Sequence, residues 1–263
     1  MPLIEDQLFR KIRKLTGKAI GDFNLIEDGD RIAVGISGGK DSYTLLHILD
    51  SLRRRAPVRY ELVAVNVDPG FPGYRKEHIE KHLREHGFAQ HFESTDCAEI
   101  IDAKLRPGSS YCAFCARLRR GVLYTVADRL GCNKLALGHH LDDVIETLLL
   151  NQFYIGTLAA MSPCLLADNG RHTVIRPLVY VEEADIAEFA ARNGFPIVCC
   201  SCPVVGAVDQ KRQRMKQLIA ELSRENPQLR RSLLSACGNV QPRHLMDPRL
   251  TPFAPLGKQP DIV

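Results

Sequence analysis

Apolar residues at Ile4, Leu8, Ile12, Leu15 and Ala19 recur at helical spacing, which predicts an amphipathic helix over about residues 5–24. "RIAVGIS" (Arg31 to Ser37) is a short run of β-formers ending in glycines, and "SYTLLHILDSL" then returns to helical periodicity. "YELVAVNV" (Tyr60 to Val67) reads as a second strand, "YRKEHIEKHLREHG" as a helix closed by Gly87, and "QHFEST" as a third, weaker strand. After a cysteine-bearing segment come the helix "ARLRRGVLYTVADRLG", the strand "KLALG" (Lys134 to Gly138) and the helix "DDVIETLLLNQF". "TVIRPL" is a fifth strand, and "EEADIAEFAARNG" a helix stopped by Gly194 and Pro196.

Strands alternating with helices at this spacing predict an α/β fold: a Rossmann-like, doubly wound parallel sheet with helices on both faces. The expected division is an N-terminal helix over 1–25 and the α/β domain over 26–195. An extension over 196–247 carries a thiol cluster, the basic helix "DQKRQRMKQLIAEL" and a basic turn at Arg230 and Arg231. The proline-rich tail, 248–263, is expected to be disordered.

A length of 263 residues suits one large α/β domain with a modest appendage. The net charge of +4 permits a polyanionic partner without demanding one. The opening "MPLIEDQLFRKIRKL" lacks an apolar signal core, and Glu5 and Asp6 argue against a transit peptide, so the expected home is the reducing cytoplasm. There, clustered cysteines are metal ligands or catalysts more often than disulfides, and this chain has nine. No apolar run approaches the roughly 20 residues that span a bilayer, so no membrane partner is expected.

"GISGGKDSYTLL" lies between the first strand and the next helix, where open α/β sheets bind ligands. Gly38 and Gly39 let backbone amides approach an anion, Asp41 and Ser42 fall at a helix start, and Lys40 adds a cation. It is not a Walker loop, and Ser37 replaces the second glycine of the dinucleotide fingerprint. Taken alone, a tight turn explains it as well. "ALGHHLDDVIET" repeats the strand, glycine, helix order, with Asp142 and Asp143 at a helix start able to hold Mg²⁺ or simply to cap the helix.

"SSYCAFCARLRRG" sets Cys112 and Cys115 at a C-x-x-C spacing where a loop enters a helix, and Arg117, Arg119 and Arg120 follow. A helix start and nearby arginines favour thiolates. Further on, "IVCCSCPVV" holds Cys199, Cys200 and Cys202. Two arrangements stay open: a four-cysteine zinc site of Cys112, Cys115, Cys199 and Cys202, or a three-cysteine iron–sulfur site of Cys112, Cys115 and Cys202. The isolated Cys97, Cys132, Cys164 and Cys237 read as small core residues.

The string S-G-G-K-D-S resembles the PP-loop of the ATP pyrophosphatases, and G-H-x-x-D-D downstream belongs to the same resemblance. With "LVAVNVD", "CARLRRGVLY", "VIRPL" and "FPIVCCSC" in order, the chain from Arg10 to Asp247 resembles the tRNA 2-thiocytidine synthetase family. The resemblance implies ATP-dependent exchange of the C2 oxygen of cytidine 32 in tRNA for sulfur, through adenylation of that oxygen and displacement of AMP. It implies ATP, Mg²⁺ and a [4Fe-4S] cluster as cofactors, and as partners tRNA and a sulfur donor such as a cysteine desulfurase, with a homodimer allowed.

By the same resemblance Ser37, Gly38, Gly39, Lys40, Asp41, Ser42 and Gly138 bind ATP, and Cys112, Cys115 and Cys202 hold the cluster. Asp41, Lys40, Asp143 and Arg119 are the implied catalytic residues, Arg119 standing where thiouridine synthetases place a basic group. Cys199 is the reserve third ligand and Cys200 is expected to point elsewhere or pack. The Cys-Pro-Val-Val here departs from the family's Cys-Gly-Ser-Gln, and its Cys-Pro pair is seen in the related 2-thiouridine synthetases. Alternatives are therefore a 2-thiouridine synthetase, a lysidine-type ligase, which has no use for C-x-x-C, or a tRNA-binding module with a structural zinc. The basic residues Lys211, Arg212, Arg214, Lys216, Arg230 and Arg231 are expected to face either tRNA or solvent.

Overall fold

Asp6 starts the first helix, α1 (Gln7–Asp22), by accepting a hydrogen bond from the Phe9 amide at 2.9 Å. In this computed structural model, which describes residues 3–106, 110–167, 170–203, 210–247 and 249, the elements follow the sequence pattern closely. They run β1 (Asp30–Gly35), α2 (Lys40–Arg53), β2 (Tyr60–Asp68), α3 (Lys76–Glu85), β3 (Gln90–Ser94) and α4 (Cys97–Lys104). There follow α5 (Tyr111–Arg129), β4 (Lys134–Ala136), α6 (Leu141–Leu150), β5 (Cys164–Leu166), β6 (Thr173–Ile175), α7 (Glu183–Arg192), α8 (Gln210–Glu225) and α9 (Leu229–Gly238). The tail expected to be disordered lies, apart from residue 249, outside the described residues.

The six strands are ordered β3-β2-β1-β4-β6-β5. All adjacent pairs are parallel except β5 with β6, so the expected parallel sheet gains one antiparallel edge strand. Side chains alternate across a strand, and both faces of this sheet are buried. Ile32, Val34, Leu62 and Ala64 pack with α1, α2, α3 and α7 in the larger core. Ala33, Val63 and Val65 turn to the opposite face and meet Val126 and Ala127 of α5.

Helix α8 is basic along most of its length but buries Met215 and Ile219 against Leu141, Ile145 and Leu149 of α6. Each fully buried side chain of this size contributes about 1.5–3 kcal/mol, enough to seat the extension beside the sheet's carboxyl edge. Two of the isolated cysteines differ from expectation: Cys97 and Cys132 are buried, but Cys164 and Cys237 are exposed. The reason is local, since β5 is an exposed edge strand and α9 buries none of its residues. Among the described residues no helix is long and apolar enough to cross a membrane.

Candidate active site

The chain leaves β1 into the loop Ser37 to Gly39, and α2 starts directly after it, so the unpaired amides and positive dipole end of α2 belong to this loop. Its shape is held internally. Ser37 Oγ accepts from the Gly39 amide at 3.2 Å, while Ser42 Oγ accepts from the Ser37 amide at 3.3 Å and donates to the Gly39 carbonyl at 2.8 Å. Gly38 has φ +84°, and a Cβ there would stand 2.9 Å from the Cβ of Val198. Gly138, just beyond β4, is needed for closeness instead: a Cβ would stand 3.0 Å from the Asp41 carbonyl carbon and 3.1 Å from the Ser42 nitrogen. The two glycine turns therefore abut.

Beside this junction is a charged cavity of about 420 Å³, lined by Lys40, Asp41, Asp143, Glu183, Arg212 and Lys216 among others. Lys40 Nζ lies 3.1 Å from both Asp41 Oδ1 and Glu183 Oε1, and Lys216 Nζ lies 2.5 Å from Glu183 Oε2. Burial pushes the Glu183 carboxyl up, but the bond from Lys216 and the charge of Lys40 outweigh it and hold the pKa at about 2. Arg212 bridges Asp143 Oδ1 at 2.9 Å and Glu146 Oε2 at 2.8 Å, and Arg230 Nε donates to Asp142 Oδ1 at 3.0 Å. Three of the basic side chains expected at a tRNA surface or in solvent, Arg212, Lys216 and Arg230, thus pair with carboxylates around this cavity.

Asp41 Oδ1 is buried and makes no hydrogen bond despite the nearby ammonium, and His140 Nδ1 is in the same condition. His140 Nε2 stands 3.4 Å from Asp143 Oδ2 and 3.8 Å from Asp41 Oδ1. Asp41 and Asp143 thus both face the His140 ring, and carboxylate oxygens are the donor type that suits a hard divalent cation such as Mg²⁺.

On the other side of the loop, Ser37, Arg119, Arg120, Leu123 and His139 line a smaller cavity of about 220 Å³, walled by Val65 and Leu137. Arg176 Nε donates to His139 Nδ1 at 3.3 Å. Burial and then the Arg176 charge hold the His139 pKa down at about 4, so the ring is neutral near pH 7.

The thiols converge here from two directions. Ser110 caps α5 by accepting from the Ala113 amide at 3.3 Å, which puts Cys112 and Cys115 in the helix's opening turns. The second group arrives on the arm that follows α7. The Val198 amide donates to the Gly38 carbonyl at 2.9 Å, and Ser201 Oγ, on a residue with φ +54°, donates to the Gly73 carbonyl at 3.1 Å. Cys115 lies within electrostatic range of Arg119, Cys200 and Cys202, and Tyr111 within that of Cys112, Cys115 and Cys202.

Helix start and arginines do not win at Cys115: burial pushes its thiol up, against the pull of Arg119. The arm also corrects the reading of its thiols. Cys199 is exposed and lines a separate cavity with Gly73, Arg75 and His78, whereas Cys200 Sγ lies 3.3 Å from Cys202 Sγ. Cys200 thus faces Cys202, while Cys199 turns to the other cavity.

Among the described residues, no three cysteine sulfurs lie within 4.8 Å of one another. The Tyr111 hydroxyl, near Cys112, Cys115 and Cys202, is buried without a hydrogen-bond partner among the described residues. Sequence reasoning missed Tyr111, Glu146 and Glu183. Glu183 reads in sequence as an ordinary acid in a helix's first turn, and nothing local marks its pairing with Lys40.

Residues 5–198 match the PP-loop domain family. Over 253 residues the chain is 74% identical to the tRNA-cytidine(32) 2-sulfurtransferase of Syntrophotalea carbinolica, covering 96% of this chain and 98% of that one. It is 66% identical over 247 residues to the enzyme of the same name from Geobacter sulfurreducens, covering 94% and 96%. Among solved structures, the U34-tRNA thiolase NcsA from Methanococcus maripaludis with its [4Fe-4S] cluster shares the fold, at TM-score 0.70 and 21% identity over 88% of this chain and 78% of that one. By its glycine loop, its fold and its near full-length identity to these relatives, the chain belongs to the tRNA-cytidine(32) 2-sulfurtransferase family of PP-loop proteins.

Proposed function

We propose that the protein uses ATP to replace the C2 oxygen of cytidine 32 in tRNA with sulfur. The observation that carries the reading is the joining of the thiol arm to the glycine loop through Val198 and Gly38, which supports a nucleotide site and a sulfur-binding site working side by side. Relatives at 74% and 66% identity carry the corresponding name, which supports cytidine over uridine.

The C2 oxygen attacks the α phosphorus of ATP, pyrophosphate leaves, and AMP remains on that oxygen. A sulfur nucleophile then adds at C2, and AMP departs with the oxygen. Loop amides from Ser37 to Ser42, with Lys40, bind the phosphates and stabilise the charge that develops on pyrophosphate. Gly138 keeps the second turn close to them. Asp41 and Asp143 are the assigned holders of Mg²⁺, which when bound supplies further charge neutralisation. Lys216 and Lys40 keep Glu183 ionised, so Lys40 stays charged and oriented beside the loop.

Arg119, on the wall of the smaller cavity, is the assigned electrostatic partner of the adenylated base, and neutral His139 is available there as a hydrogen-bonding group. Cys112, Cys115 and Cys202 are the assigned ligands of a [4Fe-4S] cluster, which when bound supplies an iron without a protein ligand at which sulfur can be carried. Arg214 pairs with Glu221 of its own helix rather than with the cavity, and it and Arg231 remain assigned to the tRNA backbone. The test is anaerobic reconstitution with iron, sulfide, ATP, Mg²⁺ and unmodified tRNA. It should yield 2-thiocytidine at position 32 only with ATP present; 2-thiouridine, or no thiolated base, would contradict the assignment.

A further inference from the structure

We propose that His47, His82 and His86 form a binding site for a zinc-class divalent metal ion, separate from the thiols and from the nucleotide loop. His47 lies on α2, His82 on α3, and His86 caps α3 one turn later. One ring nitrogen from each lies within 4.8 Å of the others, and this is the only such His, Cys, Asp or Glu trio among the described residues.

The geometry is close to ligation already. His47 Nε2 and His82 Nε2 face each other at 2.9 Å. Zinc–imidazole bonds are about 2.0–2.1 Å, so two nitrogens on one ion stand a few tenths of an ångström wider than this hydrogen-bonded pair. Metal entry replaces the proton shared between two neutral rings: the donor ring moves that proton to its Nδ1, and no net proton is released. His86 Nδ1 meets the His82 carbonyl at 2.8 Å, the kind of backbone contact that fixes a ligating histidine's tautomer.

The surroundings hold the rings in place. Phe195 stacks on His47 with centroids 5.2 Å apart, and Tyr43 meets His82 edge-on at 4.9 Å. A cavity of about 420 Å³, lined by Glu5, His47, Asp50, Arg54 and His86 among others, reaches two of the three rings and gives a metal ion access from solvent. Packing alone would account for one buried histidine, but three converging ring nitrogens at the end of an open cavity go further. A bound ion would tie α2 to α3 behind Phe195, where the thiol arm begins, and Tyr43 already donates to the Pro196 carbonyl at 3.2 Å.

The test uses the full chain with Cys112, Cys115, Cys199, Cys200 and Cys202 changed to Ser, so that the clustered thiols cannot supply the ligands. Zn²⁺ titrated calorimetrically should bind at one equivalent, with a first shell of nitrogen and oxygen by X-ray absorption. His86→Gln in that background should bind at least about 100-fold more weakly, with an unchanged circular dichroism spectrum. Should that variant not fold, His86→Cys provides a second reading: Zn²⁺ should bind with one sulfur at about 2.3 Å. No saturable binding at micromolar Zn²⁺, undiminished binding by His86→Gln, or a His86→Cys shell without sulfur would overturn the site. These outcomes are independent of thiolation, since the parent variant lacks the cluster ligands.

Discussion

The Val198 amide donates to the Gly38 carbonyl at 2.9 Å, and the Val198 Cβ occupies the place next to which any Cβ on Gly38 would fall. The arm that carries Cys199, Cys200 and Cys202 is thereby stitched to the loop assigned to the ATP phosphates. One glycine meets two demands, a left-handed backbone and a close approach.

Gly38→Ala should therefore damage both sites at once. Strain at φ +84° and the contact with Val198 should destabilise the protein by roughly 1–3 kcal/mol. Urea unfolding measures that loss, and ATP binding and iron content should fall together in the same variant. A variant that loses only nucleotide binding would mean that the arm docks without the loop.

Asp41→Ala removes the carboxylate whose buried oxygen has no hydrogen bond. Thiolation should fall at least about 100-fold, in the range of lost electrostatic stabilisation of a transition state, while the cluster's visible absorption survives. Full activity would remove Asp41 from the chemistry.

Cys202→Ala should lose the cluster. Cys200 lies 3.3 Å away by sulfur, so it, rather than Cys199, is the thiol able to substitute. Iron analysis after anaerobic purification should show loss in Cys202→Ala and retention in Cys199→Ala. Retention in Cys202→Ala and loss in Cys200→Ala would transfer the ligand role to Cys200.

Glu183 gives the charged cavity a pH signature. Its carboxyl is depressed from 4.5 to about 2, so its stabilising effect is complete above pH 4.5 and lost as pH falls toward 2. The stability difference between wild type and Glu183→Gln should be about 2–3 kcal/mol above that window and shrink through it. Lys40 and Lys216 face the carboxyl directly, and the Glu183 amide donates to Asp142 at 2.7 Å. Urea midpoints at a series of pH values read the difference; a constant gap would show that the two lysines do not hold the charge.

The parts of the site that the sequence made legible are the local ones. A strand, a glycine pair and a helix start within twelve residues announce an anion loop, and Cys112 with Cys115 announces a paired-thiol turn. Contacts between distant segments were not legible. Lys40 and Glu183, 143 residues apart, meet only because α7 packs on α2. Cys199 and Cys200 look interchangeable as letters, and only the docked arm separates them. Strand β5 was missed because three exposed residues at a sheet edge carry no alternation of apolar and polar positions. Helix α4, eight residues long, is too short to establish helical periodicity.

The most direct test is nucleoside mass spectrometry of tRNA from cells with and without the gene. The account requires that 2-thiocytidine disappear without it and return with the wild-type chain but not with Asp41→Ala, while 2-thiouridine is unchanged. Persistence of 2-thiocytidine in the absence of the gene, or loss of 2-thiouridine in its place, would contradict it.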